Sequence, residues 1–335
     1  MADAAATTGT TGAETVGPAG AVEAAHPRKL RFGVELQEPF PGTTWADTFR
    51  RVEDLGYATA FFPDHFDEGV GPVAAMAAAV AVTTTLTVGT LVLACDFRHP
   101  AALGRELATI DVLSDGRLEV GVGAGYKRVD YEQSGIELAP PKVRVDRLVE
   151  YVEVLRGSFG TEPFSYDGEH FQIRDLTPTP PPARPGGVPL LIGGGGPRML
   201  RFAGRTAQIA GIVPSIHSGV IDAAAAQDGA PDRIDAKVGW VREGAGDRFA
   251  ALELNAWIAI AEITDDATTL AEALAPVYET DAESVLASPV TLIGSPGEVA
   301  ERLLERRERW GFSYHVIPGA AALAFAPTVA ALTGT

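Results

Sequence analysis

Residues 45–66 read WADTFRRVEDLGYATAFFPDHF, a helix pattern running into a β pattern. Trp45, Phe49 and Val52 recur at helical spacing, and Gly56 stands where a left-handed C-terminal cap belongs. The apolar run 58–62 then ends abruptly at Pro63-Asp64-His65-Phe66. The same alternation extends in both directions. Further β-like runs occupy 31–36, 86–93, 117–122, 188–192, 208–213, 252–261 and 313–317. Several are almost continuously apolar, as expected of parallel strands buried on both faces. Eight such runs interleaved with helices predict an α/β fold, a (β/α)8 TIM barrel, with a doubly wound open sheet as the other solution.

Between the strands, Ser295-Pro-Gly-Glu298 has the pattern of a capping box with proline at the first helical position. Behind it, Glu298–Arg302 and Glu305–Arg309 are spaced as i,i+4 ion pairs on a solvated face. Two stretches exceed a minimal βα repeat. Residues 126–187 hold one clear helix, about 143–156, and a proline-rich run at 177–185; residues 214–250 hold a helix with Ile234, Val238 and Val241 on one face. Residues 262–283 carry seven acids and no base, the pattern of an exposed helix and loop.

The chain has 335 residues, 46% of them hydrophobic, with 44 Asp and Glu against 27 Lys and Arg. That length buries a large core without disulfide support. A net charge of −17 argues against nucleic-acid binding, which needs a basic face. The lone cysteine, Cys95, excludes a disulfide framework within the chain and a thiolate-rich zinc site; it is expected as a small buried hydrophobe. Residues 1–28, nearly all Ala, Thr, Gly, Glu and Pro, are expected to be a disordered tail rather than a signal peptide, leaving 29–335 as one domain. With no apolar stretch of about 18 residues, the chain is expected to be cytoplasmic.

In a (β/α)8 barrel, reactive groups lie at the C-terminal ends of the strands. After the second run, His65 is placed to move a proton near neutrality, and Asp64 to fix its tautomer or bind a ligand hydroxyl. After the fourth run comes Gly121-Val-Gly123-Ala-Gly125-Tyr126, where missing side chains let a flat ligand approach the backbone or simply permit tight packing. After the fifth run come Gly193, Gly194, Gly195, Gly196, Pro197 and Arg198, leading into a helix. Exposed N–H donors and the Arg198 fork favour an anion site there. His217 follows the sixth run. The six histidines form no i,i+4 pair and no HExxH motif, so no metal site is expected.

Taken in order, these pieces resemble the bacterial luciferase-like flavin and deazaflavin oxidoreductases. The resemblance rests on Phe62-Pro-Asp64-His65-Phe66, Phe97-Arg-His-Pro100, the run from Leu113 to Gly125, Tyr166-Asp-Gly-Glu-His-Phe171, and Pro189 to Arg198. It implies a barrel with an insertion after its seventh strand and a flavin or coenzyme F420 across the C-terminal mouth. It further implies that Asp64 and His65 meet the ring and that a cis peptide at Leu91–Val92 backs it. Gly123, Gly125 and Tyr126 would border the ring, and Gly193 to Arg198 would hold the coenzyme phosphate. Some deazaflavin enzymes carry an acid where this chain has Tyr126, which leaves His65 as the candidate proton donor, assisted by Tyr126 or Tyr131.

The expected activity is hydride transfer between reduced F420 and an unsaturated small molecule. A two-component monooxygenase using reduced FMN and oxygen is the alternative, and a barrel that only binds a ligand is a third. The family resemblance also implies a homodimer and a separate reductase that regenerates the reduced coenzyme.

Overall fold

Apolar β runs bury both faces only if helices cover one and other strands the other, and the chain meets that demand by closing on itself. The computed structural model describes residues 28–335 except Pro185, His217 and Ile221. Residues 1–27 of the expected tail and His217 therefore lie outside the described residues, whereas Arg28 donates to the Ala251 carbonyl. The strands are β1 (Arg31–Glu35), β2 (Thr59–Phe62), β3 (Thr87–Thr90), β4 (Leu93–Ala94), β5 (Leu118–Gly123), β6 (Phe164–Asp167), β7 (Gln172–Leu176), β8 (Leu190–Gly194), β9 (Ile209–Ile212), β10 (Glu253–Trp257), β11 (Ile260–Ile263), β12 (Thr291–Gly294) and β13 (Phe312–Pro318). The main sheet runs β3-β2-β1-β13-β10-β9-β8-β5, every pair is parallel, and β3 pairs with β5 to close it. The doubly wound alternative is thereby excluded.

Each of the eight expected runs supplies a barrel strand, with two departures. The run 86–93 is broken, because the cis peptide Leu91–Val92 separates β3 from β4. The run 252–261 is two strands, since β11 leaves the barrel and pairs with β12. Together with helices Ala267–Leu274 and Ala282–Ala287, β11 and β12 form the insertion after the seventh barrel strand. The acidic stretch 262–283 is not wholly exposed: Ala267, Ala271, Ala275, Val285 and Ile293 make a small core of their own.

Inside the barrel, Phe61, Leu191, Ile209, Tyr314 and Val316 pack with Leu91 and Val92. Glycine is required opposite Phe61, where a Cβ at Gly33 or Gly89 would lie 2.8 or 2.7 Å from its ring. The N-terminal end is closed by ions. Arg31 donates to Glu253 at 2.8 and 2.6 Å and to Glu119 at 2.7 Å, while its guanidinium lies 3.5 Å over the Tyr314 ring. Such a buried cluster is costly to break once one partner is removed.

The capping box forms as expected, with Ser295 and Glu298 bonding reciprocally ahead of helix Pro296–Trp310. The two i,i+4 pairs behind it do not form. Arg302 donates instead to the Ile293 carbonyl, and Arg309 pairs with Asp235 on helix Pro231–Ala245 at 2.7 Å. A pair worth only about 0.2–0.5 kcal/mol yields to an orphan carbonyl or a fixed carboxylate nearby. Residues 126–187 also hold more than the one expected helix (Pro141–Ser158): a short helix Arg128–Ser134 and the hairpin β6–β7.

Candidate active site

The mouth of the barrel is assembled from strand ends. His65 follows β2 and is 16% exposed; its Nδ1 lies 2.7 Å from Asp130 Oδ2, and Asp130 is 2% exposed. The other oxygen of Asp130 accepts the Phe66 N–H at 2.9 Å, so the carboxylate holds both the ring and the backbone beside it. A buried carboxylate on one ring nitrogen fixes the tautomer and leaves the other nitrogen for chemistry. Here Nε2 is 3.9 Å from Glu68, and the Tyr126 ring meets His65 edge-on at 5.8 Å.

Asp64 does not fix the His65 tautomer, contrary to the expectation from their adjacency. Both its oxygens accept from Arg98, at 2.9 and 2.7 Å, and Oδ2 also accepts the Ala94 N–H at 3.2 Å. Neighbours in an extended loop point apart, and Asp64, 7% exposed, turns back to secure β4. This contact accounts for the Phe97-Arg-His-Pro100 motif. Arg98 neutralises Asp64, while His99 accepts the Ala101 N–H and caps helix Pro100–Leu113 with Pro100 in its first turn.

The glycines after β5 and within β8 surround Val92. A Cβ at Gly121 would lie 2.0 Å from the Thr90 carbonyl oxygen and 2.9 Å from Val92; one at Gly123 would lie 2.8 Å from Val92. Leu91 and Val92, half-buried, thus sit in a floor that only glycine neighbours permit. Gly125 has φ +72°, and a Cβ there would meet the Tyr131 hydroxyl. Tyr131 is buried and donates to Asp96 at 2.9 Å, so it supports the floor and is not the assisting donor at the mouth. Tyr126, 37% exposed, faces His65 at the mouth, and partial burial pushes its hydroxyl up to about 12. Phe66, 54% exposed, packs at a tilt on Phe97, which packs likewise on Tyr131, and these rings make an apolar wall beside His65.

After β8, Gly195 passes so close to the next loop that a Cβ would lie 2.6 Å from Pro214 and Ser215 backbone atoms, whereas the space beyond Gly196 is open. Gly196 is the N-cap of helix Pro197–Thr206. The first-turn N–H groups of Arg198 and Met199 have no partner within the helix, which makes this end an anion seat. Its support comes from below. Lys237, 1% exposed, donates to the Gly195 carbonyl and to Asp228, both at 2.6 Å, and Asp228 accepts the Ser215 N–H at 2.7 Å. Arg198, expected as a free fork, is held by Asp146, which Lys142 and then Arg198 draw down to about 2. The seat therefore relies on backbone donors, with Arg198 available by exchange, while the Lys237 ammonium, spent on the Gly195 carbonyl and Asp228, fixes the loop from below.

Four residues of this site escaped the sequence reading: Asp130, Lys237, Glu35 and Trp257. Glu35 ends β1 and accepts the Trp257 indole N–H at 2.8 Å. Burial, helped by the charge on Glu68 and opposed by Trp257, pushes it up to about 7. An acid seven residues after Gly123, the last residue of β5, was the available signal for Asp130, which lies on the helix Arg128–Ser134; nothing in the sequence tied Lys237 to the glycines.

The luciferase-like monooxygenase family profile matches residues 30–228. The F420-dependent glucose-6-phosphate dehydrogenase of Intrasporangium calvum is 32% identical over 179 residues, covering 50% of this chain and 53% of that protein. The enzyme of the same name from Microbacterium testaceum is 31% identical over 188 residues, with 53% and 55% covered. The chain thus spans about half the length of the curated relatives it matches. Among solved structures, coenzyme F420-dependent tetrahydromethanopterin reductase from Methanopyrus kandleri superposes with a TM-score of 0.72 at 16% identity, covering 91% of this chain and 99% of that one. EDTA monooxygenase from Chelativorans sp. BNC1 gives 0.72 at 15% identity, covering 91% and 94%. These distant likenesses bear on the fold alone, but the profile covers more than half of the chain: it belongs to the luciferase-like monooxygenase family.

Proposed function

We propose that the chain is a coenzyme F420-dependent oxidoreductase that transfers a hydride between the reduced deazaflavin and an unsaturated small molecule. The observation that carries this reading is the His65–Asp130 pair at the mouth, set beside a glycine floor and a backbone anion seat. The donor set suits the coenzyme. It offers peptide N–H groups for an anionic tail, against a chain whose net charge is −17. The F420-dependent relatives support the choice of coenzyme.

When bound, F420 supplies a two-electron hydride couple at the C5 carbon of its ring. The glycines at 193–196 and the first turn of the following helix hold its phosphate. Leu91, Val92, Gly123, Gly125 and Tyr126 border the ring, and Asp64, already neutralised by Arg98, meets its polar edge. His65 would take up and release the transferred proton at Nε2, as the imidazolium, because Asp130 holds Nδ1–H. Phe66 and Phe97 exclude water from the transfer. A homodimer, and a separate reductase that recharges the coenzyme, complete the proposal.

The test is anaerobic. Purified protein, reduced F420 and a panel of enones and imines should yield oxidised F420 without oxygen, and His65→Ala should slow turnover far more than it weakens coenzyme binding. Turnover unchanged in His65→Ala would end the proton role. Consumption of reduced FMN that requires oxygen would instead favour the monooxygenase reading.

A further inference from the structure

We infer that the substrate is an uncharged, mostly apolar molecule, received in a chamber beside Trp257. This rests on the oxidoreductase reading above and adds the substrate class to it. The chamber, about 270 Å³, lies between the loop after β9 and the insertion after β10, near the lower end of ligand pockets, which run roughly 300–1,000 Å³. Its walls include Pro214, Ile216, Ala226, Ala259, Tyr278 and Val285, and none of the described lining residues is charged.

Its polar groups are mostly spent. Ser288 donates to the Gly229 carbonyl at 3.1 Å and Thr291 to the Ser288 carbonyl at 3.0 Å. Buried Arg306, behind the chamber, donates to the Ser288 and Thr291 carbonyls at 2.9 and 2.6 Å. Among the described lining residues no guanidinium or ammonium is offered to a phosphate or carboxylate, and burying an unpaired anion in such a lining is prohibitive. Trp257 connects the chamber to the C-terminal end of β1. It lines the chamber and donates its indole N–H to Glu35, and Glu35 lies within the field of Glu68, beside His65. A dianionic sugar phosphate would meet the Glu35 carboxyl beside Trp257, and the Lys127 ammonium beside Glu68 is already spent on Asp67 and Glu68 at 2.6 and 2.7 Å.

The matched probes are 2-naphthol and 2-naphthyl phosphate, which differ only by the phosphate, titrated by fluorescence at pH 7. The wild-type protein should bind 2-naphthol at least tenfold more tightly. Ala226→Trp, which fills the chamber, should weaken 2-naphthol at least tenfold, and Gln227→Arg, at an exposed lining position, should narrow the preference at least threefold. Phosphate binding as tight as naphthol binding overturns the inference, as does a preference that Gln227→Arg leaves unchanged. Should Ala226→Trp fail to fold, Gln227→Arg alone carries the test. Coenzyme F420 titrated against the same proteins reports separately: its failure to bind the wild type refutes the oxidoreductase reading whatever the naphthol result.

Discussion

Replacing Asp130 by Asn removes one charge and one acceptor while keeping the shape. Asp130 serves two donors, His65 Nδ1–H at 2.7 Å and Phe66 N–H at 2.9 Å. An amide has one oxygen, so one donor must face the NH2 group. If the oxygen stays on the Phe66 backbone, the NH2 points at Nδ1 and forces the imidazole proton onto Nε2. The neutral ring then cannot accept a proton at the nitrogen facing the mouth, and the imidazolium loses its counter-charge. Loss of a positioned acid–base group costs about 10²- to 10⁴-fold in rate, or about 3–5 kcal/mol of transition-state stabilisation. The assay has two parts: imidazole ¹⁵N chemical shifts for the His65 tautomer, and turnover with the best substrate of the anaerobic panel. The expected result is an Nδ1–H tautomer in the wild type, an Nε2–H tautomer in Asp130→Asn, and unchanged coenzyme affinity. An unchanged tautomer with turnover within threefold of wild type would refute the dyad.

Three other perturbations follow from the same geometry. His315 is fully buried, its ring nitrogens have no partner among the described residues, and burial, with the charge of Arg306, lowers it to about 3. The unfolded chain takes that proton near 6.5 and the folded chain does not, so acid favours unfolding; about 2 kcal/mol should be lost between pH 8 and pH 5. Urea titrations of His315→Phe should show a correspondingly smaller loss, and an identical one would refute the assignment. Glu35 has the opposite sign: its folded proton is held to about pH 7, so raising the pH from 5 to 8 should cost stability that Glu35→Gln, which can still accept from Trp257, does not lose. In the anion seat, Gly195→Ala drives a Cβ into backbone at 2.6 Å while Gly196→Ala meets nothing within 4 Å. The first should lower both melting temperature and coenzyme affinity, with at least a tenfold rise in Kd, and the second should keep the wild-type melting temperature.

Much of the barrel was legible because parallel strands must be apolar on both faces, and that leaves a mark in a single sequence. What stayed hidden depends on partners distant in the chain. The run 252–261 looks continuous, and only the pairing of Ile260 with Thr291 pulls its second half out of the barrel. The hairpin β6–β7 buries only Ile173 among half-buried and exposed positions and lacks the apolar run that marks the barrel strands. At the site, the glycine loops and His65 were visible because their residue types are rare or costly in strand ends. Asp130 was not, because its partner lies 65 positions away and a seven-residue helix leaves no periodic signal. Reading Asp64 as the partner of His65 failed for a general reason: adjacent side chains on an extended loop diverge, and Arg98 offered a full opposite charge.

The central claim is the identity of the coenzyme, and direct titration tests it. Oxidised F420 fluoresces and free FMN fluoresces, so quenching of each by the purified protein gives both affinities under one set of conditions. Quenching of F420 should be saturable and weakened at least tenfold in Gly195→Ala, with FMN bound at least tenfold less tightly. Tight binding of FMN with none of F420 would contradict the claim.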